Sequence, residues 1–414
     1  MLINFDERTF SAVIRAGDSR RFQIDLKKDR DSIIKKAIDT AATGFPFFGP
    51  INISKIKNRD CSSLSDYSQT LILRFVSKFL SHRFRVDIKN RDRTVRSVIE
   101  ALTDSTPMYI LRRDISSFYE SIPIEQLKIK VARSAYMPSV IKQFIEVYFQ
   151  TFCLGSTQGL PRGISLSPVL AELAMEDFDK AVRGLQGVYR YFRYSDDILI
   201  FSFKSPEEIE HELLSLLPAG MHFNKAKEDR IDVDCKEKAD QQKTDFEYLG
   251  YKYIFSNLAI GKMHRIVKVE IAEKKILKIK TRIFCALKAY AKDRKFSLLH
   301  MRLRFLAGNF TVLRHGASSI KTSKDVKSGI YYNYKLCGTY KGGDLIQYEG
   351  AELKALDAFY NSLLKNTTGM RVSLSASQLT QLRAISFFKG FSLKYSEKFD
   401  AIEVTEIKKV WRNV

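Results

Sequence analysis

Apolar and polar positions alternate in blocks that predict both helices and strands. Helical spacing of the apolar residues predicts helices near 30–40, 68–81, 92–102, 167–182, 207–217, 276–290, 297–310, 353–364 and 377–389. Ser167 is expected to cap its helix, because Pro168 follows it. Short apolar and aromatic runs predict strands at 83–89, 108–115, 191–203 and 246–253, the third containing a turn and the fourth a glycine bend. This mixture indicates an α+β chain.

The segment 191–203, YFRYSDDILIFSF, carries the first chemical signal. Two strand-like runs flank Ser195-Asp196-Asp197, which predicts a β-hairpin with two carboxylates at its turn. The run ILIF after the acids is uninterrupted, as in a strand covered on both faces, so the acids are expected near a core. Adjacent carboxylates raise each other's pKa unless a cation lies between them. A solvated turn with two acids is the plainer interpretation of this pair taken alone.

A third carboxylate, Asp114, ends the strand-like run in 108–119, MYILRRDISSFY. Three carboxylates on two neighbouring strand ends could hold two hard cations such as Mg²⁺, which prefers oxygen ligands. Two such ions can stabilise both the attacking and the leaving oxygen of a phosphoryl transfer. The pattern therefore predicts phosphoryl chemistry, provided that Asp114, Asp196 and Asp197 converge in the fold.

Composition narrows the choice of partner. The chain has 414 residues and a net charge of +22, which favours a polyanion such as nucleic acid. No uninterrupted apolar stretch is long enough to span a bilayer, and the start of the chain lacks a signal-peptide pattern, so no membrane partner is expected. The five cysteines are scattered, with no Cys/His cluster, which predicts a reducing, cytoplasmic location and argues against structural zinc.

Five blocks, in order, resemble the palm motifs of reverse transcriptases: DISSFYESI, QGLPRGISLSP, YSDD, FNKAKE and FEYLGYKY. They are especially similar to the bacterial enzymes, and the ESIP continuation suits the defence-associated and abortive-infection groups. The resemblance spans about 83–253. It implies a right-hand polymerase with fingers, a palm built on an antiparallel sheet, a helical thumb and a helical C-terminal extension. The expected domains are fingers at 1–107, palm with inserted fingers elements at 108–255, and helical thumb with C-terminal region at 256–414.

The resemblance also implies roles for individual residues. Asp114, Asp196, Asp197 and the backbone carbonyl of Ile115 would bind two Mg²⁺ ions, with Mn²⁺ as an alternative. Lys227 would neutralise or protonate the leaving pyrophosphate. The substrate-binding candidates are Arg93 and Arg96 for phosphates, Tyr119 as a ring that leaves no room for a 2′-hydroxyl, and Gln158 and Gly159 for template and nucleotide. Each has a plainer interpretation: a solvated basic helix face, a core aromatic, a structural turn or an exposed lysine.

The activity implied is that of an RNA-directed DNA polymerase, using dNTPs, an RNA template and two-metal nucleotidyl transfer. The resemblance further suggests bacterial antiphage defence with a structured noncoding RNA. A retron-type enzyme, an untemplated or protein-primed DNA polymerase, and a non-catalytic RNA-binding scaffold are the alternatives. The three acids argue against the scaffold, because burying like charges without metal ions costs several kcal/mol. Template identity, the priming hydroxyl, and a homo-oligomer or partner protein are left open.

Overall fold

The computed structural model describes residues 3–15, 17–46, 48–56, 58–104, 106–134, 137–153, 159–233, 235–236, 243–256, 258–259, 262–312, 326–365 and 372–411. These residues fall into two compact units. Unit 1 comprises Met1–Asn90 and Pro107–Val233, and unit 2 comprises Arg91–Thr106, Asp234–Arg314 and Thr322–Val414, in each case as far as described. The subdivision into fingers, palm and thumb at 107 and 255 stays a prediction.

The elements up to residue 233 are, in chain order, α1 (Glu7–Ser11), α2 (Asp18–Phe22), α3 (Arg30–Ala42), β1 (Ile51–Ile56), β2 (Arg59–Leu64), α4 (Tyr67–Arg83), α5 (Arg91–Thr103), β3 (Met108–Ile115), α6 (Ile124–Ala132), α7 (Ser139–Cys153), α8 (Ser167–Gly184), β4 (Val188–Tyr194), β5 (Asp197–Ser202), α9 (Pro206–Leu216) and β6 (Phe223–Val233). All of them except α5 belong to unit 1.

The remaining elements, with α5, form unit 2: β7 (Cys235–Lys236), β8 (Lys243–Tyr248), β9 (Tyr251–Ser256), β10 (Leu258–Ala259), β11 (Ile266–Ile271), α10 (Glu273–Asp293), α11 (Phe296–Ala307), β12 (Asn309–Val312), β13 (Val326–Gly329), α12 (Ile330–Tyr334), β14 (Gly338–Lys341), β15 (Asp344–Gln347), α13 (Ala351–Lys365), α14 (Ala376–Arg383), α15 (Phe387–Ser392), β16 (Ser396–Phe399) and α16 (Ala401–Lys409). Among the described residues, no helix is both long enough and apolar enough to cross a membrane.

The central feature of unit 1 is a four-stranded antiparallel sheet in the order β4-β5-β3-β6. The residues Ile198–Phe201 of β5 are all buried, in keeping with their uninterrupted apolar pattern and the central place of the strand. Ile198 and Ile200 share a core with Leu170 and Leu173 of α8 and with apolar residues of α9. These helices therefore cover one face of the sheet.

A buried arginine joins helix α8 to strand β4. The side chain of Arg193 is 0% exposed, and its guanidinium donates to both oxygens of Asp179 (2.7 and 2.8 Å) and to both oxygens of Glu172 (3.1 and 2.7 Å). It also donates to the backbone carbonyl of Ser195 at 3.2 Å. The Tyr191 hydroxyl gives Asp179 a further hydrogen bond of 2.6 Å. The guanidinium and both carboxylates are thus hydrogen-bonded to one another, which buried charges require if they are not to cost stability.

Unit 2 contains a five-stranded sheet, β15-β14-β11-β9-β8, and a three-stranded sheet in which β12 lies between β13 and β16. The C-terminal half is therefore mixed rather than purely helical.

Helix α5 is attached to this unit through Arg91. The Arg91 guanidinium lies 4.8 Å from the ring centre of Tyr251 and 5.7 Å from that of Tyr334, and donates to the carbonyls of Leu249 and Asn333. These contacts hold the start of α5 to the rest of unit 2.

Two local predictions are wrong, and a third is confirmed in a sharper form. The strand expected at 83–89 is absent, because α4 continues through Arg83 and the segment after it has no partner strand. The glycine bend expected within 246–253 is the turn of a β8–β9 hairpin, where Leu249 and Gly250 both have positive φ (49° and 81°). The helix expected at 377–389 is two helices, α14 and α15, with a break at 384–386.

The Arg193 cluster allows a direct test of stability. We expect Arg193→Met to lower the free energy of unfolding by about 3–5 kcal/mol, because Asp179 and Glu172 would keep buried charges without their partner. Arg190→Met is the matched control on the same strand: Arg190 is exposed and donates to the adjacent Tyr189 carbonyl, so a change within about 0.5 kcal/mol is expected. Chemical denaturation of both variants measures the difference, and equal losses would contradict this role for Arg193.

Candidate active site

The sheet of unit 1 brings three carboxylates to one of its ends. Asp114, near the end of β3, is the register partner of Asp197, the first residue of β5. Asp196 precedes Asp197 in the hairpin turn, and its carbonyl accepts a hydrogen bond of 2.9 Å from the Ile115 backbone N–H. Ser195 forms the turn with a positive φ of 58°. The hairpin expected at 191–203 thus places its acids beside Asp114.

Two basic side chains contact these acids. Lys227 of β6 places its Nζ 2.9 Å from Oδ1 of Asp114, whose side chain is buried. Arg112, two residues before Asp114 on β3, donates through Nε to Oδ1 of Asp197 at 3.1 Å and through Nη1 to Oδ2 of Asp229 at 3.0 Å. Side chains alternate between the two faces of a strand, so Arg112 lies on the same face as Asp114. A role for Arg112 beside the acids could therefore have been predicted from the sequence. Sequence reasoning nevertheless missed Arg112.

Burial and like charge raise the pKa values of the two acids at the turn. Burial raises the pKa of Asp196, and the nearby charge of Asp114 raises it further, while Lys227 and Arg162 act in the opposite direction. Burial likewise raises the pKa of Asp197, against the lowering effect of Arg112. The folded chain therefore disfavours the ionised form of both residues relative to water.

The site suits a divalent cation by its chemistry. The available donors are carboxylate and backbone carbonyl oxygens, which are the preferred ligands of Mg²⁺, and a cation would favour ionisation of Asp196 and Asp197. Within the described part of the chain, no group of three or more His, Cys, Asp or Glu side chains forms a ready set of metal ligands. Mg²⁺ is compatible with that, because it is usually held by one or two carboxylates together with water and substrate phosphates.

The turn after β3 is held against the loop that precedes α8. The Leu160 N–H donates to the Tyr119 carbonyl at 2.7 Å, and a side chain at Gly159 would clash with the backbone of Tyr119 and Glu120. Gly159 is therefore required for this close approach. Gln158, the other candidate of this loop, lies outside the described residues.

Arg162 is a second residue that sequence reasoning missed. Its guanidinium lies 5.3 Å from the ring centre of Tyr119 and forms a two-pronged ion pair with the carboxylate of Glu120. Its charge also acts on Asp196. Only the spatial meeting of two motifs reveals this arrangement, since Arg162 and Glu120 are far apart in sequence.

The start of helix α8 differs from expectation. Ser167 does not cap the helix: it is already its first residue, and its hydroxyl donates to the Pro161 carbonyl at 2.6 Å. The Tyr148 hydroxyl lies 2.9 Å from that of Ser167. Ser167 therefore stabilises the loop that carries Arg162 rather than the end of the helix.

The two predicted phosphate-binding arginines are in the other unit. Arg93 and Arg96 lie on α5, which belongs to unit 2. Their assignment to phosphate stays a prediction, as do those of Tyr119 and Gly159 to substrate.

Comparison with known proteins identifies the motif-bearing segment. Residues 51–253 match the family model described as "Reverse transcriptase (RNA-dependent DNA polymerase)". This segment, just under half of the chain, is similar to a reverse transcriptase domain. This domain, with its mixed helices and antiparallel sheet, confirms the prediction of an α+β right-hand polymerase fold. A search of curated proteins finds no match.

A solved structure of telomerase from Candida albicans, in complex with a TWJ fragment of telomeric RNA, is similar over 92% of this chain. The identity is 11% and the TM-score 0.36, values too low to support any functional argument. The present chain spans 62% of that telomerase chain.

The raised pKa of Asp196 predicts a pH-dependent gain in stability on substitution. Because the folded pKa lies above the unfolded value, wild-type stability falls as pH rises through that interval, whereas Asn cannot ionise. Without metal, Asp196→Asn should therefore melt at a higher temperature than wild type at neutral pH, and the difference should vanish below the ordinary pKa of aspartate. Thermal melts across pH measure this. A variant less stable than wild type at neutral pH would contradict the electrostatic account.

Proposed function

We propose that this chain is an RNA-directed DNA polymerase that joins dNTPs at the end of β3 and at the β4–β5 turn. The observation that carries the proposal is the juxtaposition of Asp114, Asp196 and Asp197 within a reverse transcriptase domain. A non-catalytic scaffold would have no use for carboxylates whose ionisation the fold disfavours. Carboxylates with pKa values raised in this way are typical of functional sites, here a site that would bind a cation.

The acids would hold Mg²⁺, or Mn²⁺ in its place, through the carboxylates of Asp114, Asp196 and Asp197 and the carbonyl of Ile115. When bound, the two ions supply charge stabilisation for the attacking hydroxyl and the leaving pyrophosphate. Asp114 is held by Lys227 and Asp197 by Arg112, so the side chains are oriented before any ligand arrives.

Lys227 would act on the leaving group. Its side chain is 47% exposed, so the ammonium remains accessible while it contacts Asp114. A lysine beside the transferring phosphate can neutralise or protonate the departing pyrophosphate oxygen. Tyr119, at the turn after β3, would exclude a 2′-hydroxyl and so select deoxynucleotides.

The template would be RNA, in keeping with the net charge of +22 and with the family of the domain. We further propose a cytoplasmic bacterial enzyme of antiphage defence that uses a structured noncoding RNA, on the resemblance of the DISSFYESIP block to such enzymes. Sequencing the nucleic acid that copurifies with the chain tests this. A DNA product complementary to one structured RNA supports it, and products without any template relation favour untemplated synthesis.

The metal-binding role of Asp196 is tested by Asp196→Ala. Incorporation of dNTPs should fall by at least about a thousandfold, because metal stabilisation is worth several kcal/mol and each ~1.4 kcal/mol is tenfold. RNA binding, measured by filter retention, should change little, because the basic surface is untouched.

The control for that experiment is Asp232→Ala on β6. Asp232 is exposed and lies at the far end of the β3–β6 ladder, opposite Tyr109, so near-normal synthesis is expected. Wild-type synthesis by Asp196→Ala, or equal losses in the two variants, would refute the site.

The role of Lys227 is tested by Lys227→Gln. We expect kcat to fall by about a hundredfold with little change in the KM for dNTP, since general acid catalysis acts on the chemical step. Lys180→Gln, which removes an exposed helix lysine paired with Glu176, should leave kcat unchanged. A change confined to KM would contradict a role in chemistry and indicate ground-state binding instead.

A further inference from the structure

The geometry of the Arg162–Glu120 ion pair is suited to hold a neighbouring side chain in a fixed position. Both side chains are partly buried, at 19% and 32% exposure, and the contact is two-pronged, with Nη2 2.9 Å from Oε2 in its second arm. A fork of this kind fixes orientation as well as distance, which a single exposed ion pair does not.

The backbone of Arg162 is fixed independently of its side chain. Its carbonyl accepts a hydrogen bond of 2.8 Å from the Ser62 N–H of strand β2. The next residue, Gly163, has a φ of 90° and leaves no room for a side chain against the Ser62 carbonyl. Arg162 is thus held at its main chain by β2 and at its guanidinium by Glu120.

The ring that Arg162 contacts is Tyr119. The guanidinium lies 5.3 Å from the ring centre, and buried Phe118 meets the same ring edge-on at 5.3 Å. The Tyr119 hydroxyl lies near the side chain of Ser195, in the turn that carries Asp196 and Asp197. The ring is therefore contacted by Arg162 and Phe118, and its hydroxyl lies near the turn that carries the carboxylates.

We propose that the Glu120–Arg162 ion pair is a specificity-determining brace that holds the Tyr119 ring in place and thereby sets discrimination between deoxynucleotides and ribonucleotides. This inference rests on the proposed polymerase function. Neither Glu120 nor Arg162 need touch the sugar, so both are positioning residues. A ring that excludes one hydroxyl must be held to within a fraction of an ångström, and the brace supplies that rigidity.

The experiment compares Glu120→Gln and Arg162→Lys with wild type and with Glu207→Gln. Glu120→Gln weakens the ion pair, and Arg162→Lys keeps the positive charge near Asp196 but loses the planar fork. Glu207→Gln disrupts an exposed ion pair with Arg230 elsewhere in unit 1. The readout is the ratio of kcat/KM for a dNTP to that for the matching NTP on one primer–template, with a thermal melt for each protein.

We expect both brace variants to lower that ratio by about tenfold, chiefly because kcat/KM for the NTP rises. A small change in the shape of a binding pocket alters selectivity on this scale. Glu207→Gln should keep the wild-type ratio. Brace variants that lose dNTP and NTP incorporation equally, or keep the ratio, would overturn the inference while the polymerase function stands. A wild-type chain that incorporates neither nucleotide would overturn the proposed function and the inference with it.

Discussion

The buried contact between Arg193 and the two carboxylates of helix α8 is the constraint on which the site depends. Arg193 reaches Asp179 and Glu172 on the helix and the carbonyl of Ser195 in the turn, so one side chain fixes the helix, strand β4 and the approach to Asp196. Burial would lower the pKa of Arg193, but the two carboxylates outweigh that effect and raise it. The guanidinium is therefore firmly charged, and the turn is held by electrostatics as well as by packing.

The charges around Arg193 and the charges at the β4–β5 turn are compensated to different extents. Near the helix, Arg193 is fully compensated by acids, and the cluster has no evident chemical task. At the turn, Asp196 and Asp197 remain only partly compensated by Lys227, Arg162 and Arg112, and their pKa values stay raised. This incomplete compensation lowers the stability of the fold, and a cation bound at the proposed site would remove that cost.

The acids were predictable from sequence and the cations around them largely were not. Asp196 and Asp197 stand before the apolar run ILIF, and Asp114 follows the strand-like run MYILRR, so their place at strand ends could be inferred. Arg193 could not be recognised as buried, because its partners lie on a helix 14 and 21 residues earlier and only tertiary packing brings them together. The same holds for Arg162 and Glu120, which come from separate motifs.

The failed secondary-structure predictions have physical causes too. Alternation at 83–89 resembles a strand, but a strand is stable only beside a partner, and none is available there. The glycine bend expected within 246–253 reverses the chain completely at Leu249-Gly250, although this turn lacks the Asn-Gly or Asp-Gly pair that usually marks a two-residue hairpin. In both segments tertiary context decided the structure, as it often does where the local pattern is weak.

The most direct test of the central claim is primer extension by the wild-type chain on an RNA of defined sequence, with dNTPs and Mg²⁺ or Mn²⁺, followed by sequencing of the product. The account predicts DNA complementary to that RNA, formed only when a divalent ion is present. Absence of any product with either ion, or synthesis that proceeds equally in excess chelator, would contradict it.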